Sequence, residues 1–580
     1  MPNGYAGKLL FVDLSTGRIR SETPDDALYR DFIGCYGVGA RVLYDHVRPG
    51  VDALGPGNML GLVTGVLTAT PAVMGCRFQA VGKSPLTGGW GDANCGGHFG
   101  PRLKFAGYDC VFFSGISEKP VYLLVNNGKA ELRDAGDLWG KDIYETEATL
   151  KDRHGRGARV ASIGPAGEKR ALIACIETEK GASAGRSGLG AVMGSKRLKA
   201  VVARGSMDVP IADPDRVRRV REEHLEMLHS ATMDEDPFWE NMHKYGTSFG
   251  TAKIALNGDT PIKNFGGIGI VDYPDPGTVS GDGAIANQAR DETCWQCPLA
   301  CEGILRAGTG KYRYEAGSRR PEYETQAAFG GYLLNNDGEM VAKANDICNR
   351  AGLDTISAGT AVAFAIECFE NGILHLEDTD GIELTWGNGP AIIAMTEKMA
   401  AREGLGDVLA DGVKRAAERI GRGSAVFAVH IGGQELGMHD PKFQPELLQA
   451  AGARYVMDAT PGRHTQGFGE TSFRGHIVNA AGLCGFGYFA GEPDGIITGY
   501  IAGVTGWERS WEELTVCAQR IMAMRQAFNS REGINNRRDW PAHPRIAGIP
   551  PQSEGPLKGV TVDMDAQAEF HMKALGWDPA

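Results

Sequence analysis

Short apolar runs with strand-like spacing dominate the first 205 residues of the chain. The expected strands are 8–14, 77–81, 110–114, 121–125, 129–132 and 200–204. The fourth and fifth runs are joined at Asn127-Gly128, a dipeptide typical of a two-residue hairpin turn. The pattern therefore predicts a β-rich N-terminal region.

After the predicted strands, the hydrophobic positions follow a helical period. Asp213 and Pro214 suit the N-cap and first residue of a helix that continues through Leu228. In 338–351 the apolar residues recur at i, i+1, i+4, i+7, i+8 and i+11, which is one face of a helix. Gly352 suits the left-handed position that follows such a helix. Further helices are expected at 357–370, 390–420 and 510–528.

The switch from strands to helices predicts an α+β protein with more than one domain. A chain of 580 residues is longer than one hydrophobic core usually supports. We place a β-rich domain at 1–210 and two mainly helical domains at 211–420 and 421–580. Hydrophobic residues make up 42% and charged residues 23% of the chain, the ordinary balance of a globular protein.

Charge and cysteine content limit the partners and the compartment. A formal net charge of -12 argues against nucleic acid and against an anionic membrane surface, since both need basic patches. The chain has no run of roughly 18 apolar residues, and its N-terminal apolar patch is too short for a secretion signal. Twelve cysteines are too sparse for a disulfide scaffold in a chain of this length. We therefore expect a cytoplasmic protein without structural disulfides.

One group of cysteines has the spacing of metal ligands. Cys294-Trp-Gln-Cys297-Pro-Leu-Ala-Cys301 lets three thiolates converge on one face of a compact loop, which suits an iron–sulfur cluster. Such a cluster normally needs a fourth thiolate, and Cys484 is the best remote choice because glycine near it lets the chain come close. A zinc site and three free thiols are the alternative interpretations.

Two further patterns suit a close approach to a ligand. Glycine fills six of the thirteen positions of 88–100. The segments 349–354 and 479–484 both read Asn-x-x-Gly-Leu, followed by Asp354 in the first and Cys484 in the second. They predict either two helix ends capped by glycine or two loops around one two-lobed cofactor.

Four longer motifs follow one another along the chain. They are Lys83-Ser-Pro-Leu-Thr-Gly-Gly-Trp-Gly-Asp-Ala-Asn94, Gly185-Arg-Ser-Gly-Leu-Gly-Ala-Val-Met-Gly-Ser-Lys196, Arg320-Pro-Glu-Tyr-Glu324 and Asn349 to Ser357. Together with the cysteine run and the repeated Asn-x-x-Gly-Leu, they resemble the tungsten-containing aldehyde ferredoxin oxidoreductase family along nearly the whole chain. The resemblance implies tungsten, or molybdenum in its place, between two pyranopterins, with a [4Fe-4S] cluster close to one of them. It also implies oxidation of aldehydes to carboxylic acids, with electrons passed to ferredoxin.

The same resemblance implies an architecture and a phosphate site. An N-terminal domain of two sheets should carry the metallopterin, and two mainly helical domains should close over it. Backbone amides in glycine-rich loops are suited to phosphate. The residues implied to meet the pterin phosphates and a bridging Mg2+ are Arg77, Asn94, Gly96, Ala184, Gly185 and Arg186.

The two Asn-x-x-Gly-Leu segments are implied to hold the two pterins. The residues concerned are Asn349, Gly352, Leu353, Asp354, Asn479, Gly482 and Leu483. The family pattern usually begins with Asp where this chain has Asn349 and Asn479. An amide still hydrogen-bonds a pterin edge, although without charge.

For catalysis, the resemblance implies a carboxylate and a histidine beside the metal. Glu324 is our first choice for the carboxylate and Glu322 the second. The histidine is His464, whose Ala-Thr-x-x-x-His context resembles that of the family, or else His439 in Met-His-Asp-Pro. The carboxylate would accept a proton while the histidine donates a hydrogen bond to the aldehyde oxygen.

Two other functions are compatible with these motifs. A reductive relative, such as the tungsten subunit of benzoyl-coenzyme A reductase, would reduce an aromatic ring, and a substrate assay would separate the two. A non-catalytic iron–sulfur electron-transfer subunit would bind iron without tungsten, molybdenum or pterin. The implied partners are ferredoxin or small iron–sulfur and flavin subunits, in an oligomer or multi-subunit complex.

Overall fold

The computed structural model describes residues 2–233, 236–443, 451–488 and 491–578. Its N-terminal part is built on two six-stranded sheets. The strands of the first are β1 (Leu9–Asp13), β2 (Arg18–Glu22), β3 (Leu60–Thr64), β4 (Phe78–Lys83), β5 (Trp90–Cys95) and β6 (Cys110–Ser114). They lie in the order β2-β1-β6-β3-β4-β5, and only β1 and β6 run parallel.

The second sheet follows directly in sequence. Its strands are β7 (Val121–Asn126), β8 (Lys129–Asp134), β9 (Arg159–Ser162), β10 (Ile176–Thr178), β11 (Ala182–Ala184) and β12 (Leu198–Arg204), in the order β11-β10-β9-β12-β7-β8. Here β7 and β12 form the parallel pair. Asn127 and Gly128, between β7 and β8, have φ of 46° and 76°, as a type I′ turn requires, so the predicted hairpin is confirmed.

The two sheets share one hydrophobic core. Leu62 and Phe78 of the first sheet cluster with Leu123 and Val201 of the second, and all four side chains are fully buried. Because alternate residues of a strand point to the same face, each strand contributes every second position to this core. Burial of each such side chain stabilises the fold by about 1.5–3 kcal/mol.

The chain is mainly helical beyond the second sheet. Helices among the strands are Asp26–Phe32, Cys35–His46, Phe99–Phe105, Ile143–His154, Pro165–Glu168 and Leu189–Ser195. The later helices are Pro214–Ser230, Phe238–Tyr245, Thr251–Asn257, Gly269–Asp272, Gly281–Ile285, Tyr323–Phe329, Gly338–Ala351, Thr355–Glu370, Gly389–Ala401, Leu405–Leu409, Gly412–Ile420, Ala451–Met457, Phe473–Ala481, Pro493–Thr505, Trp511–Arg531, Asn536–Asp539 and Met564–Ala574. Two short ribbons pair β13 (Thr232–Met233) with β14 (Asp236–Pro237) and β15 (Gln288–Glu292) with β16 (Glu302–Leu305).

Several helix predictions are confirmed. Helix Gly338–Ala351 has the predicted bounds, and Gly352 follows it with φ 74°. Asp213 is the N-cap of helix Pro214–Ser230, as predicted, and its side chain accepts the Arg216 N–H at 2.9 Å. The stretch 390–420 is helical but divided into three, with left-handed residues at the breaks.

The glycine-rich stretch 88–100 contains β5, an edge strand of the first sheet that the sequence pattern does not reveal. Glycine interrupts the apolar alternation by which a strand is recognised. The α+β class, with two sheets followed by a mainly helical region, is confirmed. The domain boundaries at 210 and 420 stay predictions. Within the described ranges, no helix is long and apolar enough to cross a membrane.

A buried charge network joins β5 to helix Trp511–Arg531. Arg525 donates to Asp458 at 2.7 Å and to Asp92 at 3.1 Å, and all three side chains have no solvent exposure. Arg463 adds a contact of 3.2 Å to Asp92. Burial alone would raise the pKa of Asp92, but the two guanidinium groups lower it to about 2. The network ties the C-terminal region to the first sheet.

Helix Thr355–Glu370 is buried on nearly all sides at the centre of the largest hydrophobic cluster. A helix that is apolar all round belongs in a core. Its N-cap is Asp354, whose Oδ1 accepts the Ile356 N–H at 3.0 Å. The first turn of this fixed helix therefore sets the position of Asp354.

Candidate active site

The structure brings the four predicted thiols together. Cys294, Cys297 and Cys301 lie in the loop between β15 and β16, and Cys484 follows the end of helix Phe473–Ala481. Cys297 and Cys301 pack against the hydrophobic cluster that contains Cys484. Burial and then the neighbouring Cys294 and Cys484 thiols raise the pKa of Cys297 to about 12. Four converging thiols match the ligand set of an iron–sulfur cluster.

Cys294 has the surroundings of a thiolate. A hydrogen bond from Cys76 and the charge of Arg77 lower the pKa of Cys294 to about 6, despite burial. The Gly97 N–H donates to its sulfur at 3.1 Å. A Cβ at Gly96 would stand 2.9 Å from the same sulfur, so only glycine fits here without a shift.

Arg77 links the thiols to a second site. Its Nη2 donates to Cys484 Sγ at 2.9 Å, and its Nη1 donates to Asn94 Oδ1 at 3.3 Å. The Asn94 amide in turn donates to Asn479 Oδ1 at 2.8 Å. The Arg77 guanidinium group therefore contacts one predicted cluster thiol and Asn94, and Asn94 extends the contact to Asn479.

The second site is a cavity of about 330 Å³, within the range of small-molecule sites. The predicted residues on its wall are Arg77, Asn94, Gly96, Gly185, Arg186, Cys301, Glu322, Glu324, Asn349, Leu353, Asp354 and His464. Of the other described residues with predicted roles, Ala184, Gly352, Asn479, Gly482, Leu483 and His439 are not part of this wall.

The cavity wall suits an anionic ligand. It carries five guanidinium groups, those of Arg77, Arg186, Arg319, Arg320 and Arg463, beside the five carboxylates of Glu177, Glu302, Glu322, Glu324 and Asp354. Guanidinium forks match phosphate geometry. A second cavity, of about 360 Å³, adjoins the same segment at Pro321 and Gln326, but none of its described lining residues is Arg or Lys. Guanidinium groups that suit phosphate therefore line the first cavity and not the second.

Several buried polar atoms on this wall have no hydrogen-bond partner within the described part of the chain. They are Arg77 Nε, Glu177 Oε2, Arg320 Nε and Glu324 Oε1. Leaving such an atom unpaired usually costs about 1–3 kcal/mol. A polar ligand in the cavity would complete these hydrogen bonds, so the residues fit a phosphate-bearing pterin cofactor.

Arg186 follows the end of β11 and holds the cavity wall in place through hydrogen bonds to neighbouring segments. It donates to Asp354 Oδ2 at 3.2 Å, to the Gly462 carbonyl at 3.0 Å and to the Glu435 carbonyl at 2.6 Å. Asp354 is thereby held both by Arg186 and by its own helix. Gly185, next to Arg186, lies on the cavity wall.

Both Asn-x-x-Gly-Leu segments are helix ends. Gly352 and Gly482 have φ of 74° and 83° and follow helices Gly338–Ala351 and Phe473–Ala481. The capping interpretation is therefore confirmed for both. The first copy also reaches the cavity with Asn349, whereas the second contacts it through Asn94.

Glu324 and the two predicted histidines form one group. Glu324 stands in the first turn of helix Tyr323–Phe329, and its Oε2 accepts the Met438 N–H at 2.9 Å. Its Oε1 lies 3.4 Å from His464 Nδ1 and 3.7 Å from His439 Nε2. The spacing would also suit a divalent cation, since the ligand atoms lie within 4.8 Å of one another.

The three groups differ in their preferred charge. Burial raises the pKa of Glu324, against the effect of His439. Burial, followed by the charge of His439, lowers the pKa of His464 well below its usual value. The pKa of His439 is raised, because its contacts with Asp259 and Glu324 outweigh burial. His464 is therefore the neutral imidazole of the pair, and His439 is the one that holds a proton more readily.

Glu322 occupies a different position from Glu324. It is the N-cap of the same helix and accepts a hydrogen bond from the Thr247 hydroxyl. Its charge, after burial, raises the pKa of Cys301. Glu322 therefore faces the thiol side of the cavity, and Glu324 faces the histidines.

Other residues of the site have no signal in the sequence. Asp259 accepts a hydrogen bond from His439, and Glu177, Arg319, Arg320 and Arg463 lie on the cavity wall. Burial raises the pKa of Glu177 to about 7. Asp259 and Glu177 lie in a loop and a short strand outside the predicted motifs. Arg319, Arg320 and Arg463 lie in or beside predicted motifs but have no predicted role of their own there. Tertiary packing brings all five to the site.

This fold and site define a class: a redox protein in which a set of thiols adjoins a cavity for an anionic ligand. Comparison with known proteins gives the family. The model of the aldehyde ferredoxin oxidoreductase N-terminal domain matches residues 9–205, and the model of domains 2 and 3 matches residues 223–580. The chain belongs to the tungsten-containing aldehyde ferredoxin oxidoreductase family, and it is an oxidoreductase.

Individual relatives agree over the full length. The tungsten-containing aldehyde ferredoxin oxidoreductase of Pyrococcus furiosus is 35% identical over 606 residues, covering 99% of this chain and 96% of that protein. The aliphatic sulfonate oxidoreductase, WOR-like subunit, of the same organism is 29% identical over 613 residues, covering 99% and 95%. A chain of the active-site complex BamBC of benzoyl coenzyme A reductase, solved with 1,5-dienoyl-CoA, has a TM-score of 0.81 at 25% identity, covering 100% and 95%.

Proposed function

We propose that this protein oxidises an aldehyde to a carboxylic acid at a tungsten bis-pyranopterin and passes the electrons through a [4Fe-4S] cluster. The observation that carries the proposal is the Glu324 and His464 contact on the wall of a guanidinium-rich cavity that Arg77 joins to the thiols. Molybdenum in place of tungsten is compatible with the same residues.

The groups that would hold the cofactors follow from these contacts. Cys294, Cys297, Cys301 and Cys484 would ligate the cluster. Arg77, Asn94, Gly96 and the Ala184-Gly185-Arg186 turn would receive the pterin phosphates and their Mg2+, and the two Asn-x-x-Gly-Leu segments would hold the pterins. When bound, the tungsten centre would accept two electrons and polarise the carbonyl.

The protein's own groups would handle protons and orientation. Burial brings the pKa of Glu324 closer to neutrality, where a carboxylate can both accept and release a proton. We assign to Glu324 the proton of the attacking water. His464, as a neutral imidazole, would donate one hydrogen bond to the substrate oxygen. Glu322 and His439 are the second choices for these two roles.

A reductive function is the second candidate. The structural likeness to a benzoyl coenzyme A reductase complex favours it, because that protein shares the fold over the whole chain. Membership of an enzyme family argues against a non-catalytic electron-transfer subunit.

We also propose the cellular setting. Ferredoxin, or small iron–sulfur and flavin subunits, would receive the electrons. This proposal is supported by the names of relatives: one is an aldehyde ferredoxin oxidoreductase, one is a subunit, and one belongs to a complex. The reduced thiols that the cluster needs suit the cytoplasm.

Metal analysis and substrate assays test the proposal together. Protein purified without oxygen should contain about one tungsten and four iron per chain and should reduce a viologen with an aldehyde. A panel of aliphatic aldehydes, aromatic aldehydes and benzoyl-coenzyme A, with oxidised or reduced viologen, separates the two directions. Activity with benzoyl-coenzyme A alone would replace the oxidative function by the reductive one, and iron without tungsten, molybdenum or pterin would exclude both.

A further inference from the structure

Asp259, His439 and Glu324 form a continuous line of titratable groups. Asp259 Oδ2 lies 2.9 Å from His439 Nδ1, and His439 Nε2 lies 3.7 Å from Glu324 Oε1. Each ring nitrogen therefore faces one carboxylate. Glu324 lies on the cavity wall, whereas Asp259 belongs to the loop after helix Thr251–Asn257.

His439 is held by several contacts. The Tyr455 hydroxyl donates to the His439 carbonyl at 2.9 Å. The rings of Tyr323 and His464 lie 4.8 Å and 4.6 Å from the His439 ring. The titratable groups that face His439 are Asp259, Glu324, His464, Tyr323 and Tyr455. Only the two carboxylates among them can attract a proton on the imidazole by negative charge near neutral pH.

We propose that Asp259 is a positioning residue that keeps His439 Nε2 free to accept a proton from Glu324, so that the three groups form a proton exit from the cavity. This inference rests on the proposed function. An Nδ1–H that donates to Asp259 leaves Nε2 as the acceptor nitrogen. A buried aspartate selects the histidine tautomer of serine hydrolases in the same way. The Asp259 side chain is 15% exposed, so the path ends at solvent.

The path accounts for one proton of the overall reaction. An aldehyde and one water yield a carboxylate, three protons and two electrons. The aldehyde C–H bond and two O–H bonds of water break, and one C–O bond forms. The electrons leave through the metal centres to a one-electron acceptor such as a viologen. Glu324 takes one proton from water, His439 accepts it at Nε2, and the Nδ1 proton leaves through Asp259.

Histidine exchange in the metal-loaded protein tests the positioning role directly. Deuterium exchange at the imidazole C2 position, read by mass spectrometry of peptides, gives separate titration midpoints for His439 and His464. Asp259→Asn should lower the His439 midpoint by about one pH unit or more, because an adjacent negative charge is lost. The His464 midpoint should move less than the His439 midpoint, and upward, because the charge of His439 that lowers the pKa of His464 is reduced.

Kinetics test the relay. Asp259→Asn should lower kcat for aldehyde oxidation about 10-fold or more with KM within about twofold, since proton transfer and not binding is impaired. Asp259→Glu, which keeps the carboxylate, should recover part of both kcat and the His439 midpoint. The control is Asp272→Asn, an exposed carboxylate of helix Gly269–Asp272 that, among the described residues, accepts only the Ile268 N–H, at 2.7 Å. It should leave both readouts at their wild-type values.

An unchanged His439 midpoint, or wild-type kcat in Asp259→Asn, would overturn the proposal. Equal tungsten and iron contents in all variants establish that the site is intact. If the Asp259→Asn variant loses its metals, the Asp259→Glu variant serves as the test. A wild-type His439 midpoint and a wild-type kcat in Asp259→Glu would contradict a role that depends on exact placement of the carboxylate. The exchange measurement needs no turnover, so it is independent of activity. A wild-type protein that oxidises no aldehyde would contradict the proposed function, and the exchange would still test the effect of Asp259 on His439.

Discussion

Asp92 and Glu177 are buried carboxylates on different sheets, and they behave in opposite ways. Asp92, on β5, contacts Arg525 and Arg463, and its pKa falls to about 2. Glu177, on β10, has an oxygen without a hydrogen-bond partner in the described ranges, and its pKa rises to about 7. The exposed fractions are 0% and 1%, so burial does not explain the difference.

The presence or absence of charged partners decides whether the pKa of each buried carboxylate falls or rises. Burial penalises the charged form of both carboxylates, and only Asp92 has guanidinium groups close enough to reverse it. Its network can serve as permanent structure because its charges are paired within the chain, where Arg525 contacts both Asp92 and Asp458. In the described ranges, the cavity wall around Glu177 has buried polar atoms without hydrogen-bond partners, which a bound ligand would supply. Variants of the Asp92 network and of the cavity wall test this contrast.

Removal of Arg525 should have the largest effect. Arg525→Leu leaves Asp92 and Asp458 buried without their main partner, and we expect a loss of about 3–5 kcal/mol in unfolding free energy. Thermal or denaturant unfolding measures it. Arg41→Leu, in an exposed pair with Asp45, is the control and should change stability by less than about 0.5 kcal/mol. Equal effects of the two variants would show that the network does not stabilise the fold.

Glu324→Gln tests the cavity side by activity. Gln keeps the size of the side chain but cannot take a proton, so aldehyde oxidation should fall about 100-fold, or about 2.7 kcal/mol in barrier. Iron and tungsten contents should match those of the wild type. Glu322→Gln is the paired variant and should be less affected. Full activity in Glu324→Gln would remove this carboxylate from the mechanism.

The smallest expected effect is a pH dependence from Glu177. Its folded-state pKa is raised, so its contribution to stability is complete below the unfolded value of about 4.5 and is lost as pH rises through about 7. Protein produced without tungsten should therefore be less stable at pH 8 than at pH 5, by roughly 2–2.5 kcal/mol from this group. Glu177→Gln should remove that part of the dependence. An identical profile in the variant would mean that Glu177 does not titrate in this range.

The sequence predicts elements whose signal is local. Helix Gly338–Ala351 shows its apolar face and its terminal glycine within a few turns, and the Asn127-Gly128 hairpin is decided by two residues. The run from Cys294 to Cys301 is equally local. The strand β5 is not predicted, because Gly91 interrupts the alternation of apolar and polar residues by which a strand is recognised.

The candidate site is less predictable because its chemistry depends on distant partners. Asp259 is an ordinary loop residue in the sequence, and only the fold places it beside His439. Glu177 belongs to a three-residue strand, too short to show which face is buried. The assignments of Glu324 over Glu322 and of His464 over His439 came from a family resemblance and stay predictions.

The walls of the cavity come from both ends of the chain, from Arg77 to Phe486. A ribosome must therefore release most of the polypeptide before this chamber exists at all. Insertion of a ligand into the closed cavity would therefore follow the synthesis and folding of the segment that contains Phe486. A truncated product that ends before Phe486 could not enclose the ligand, however well its first sheet had folded.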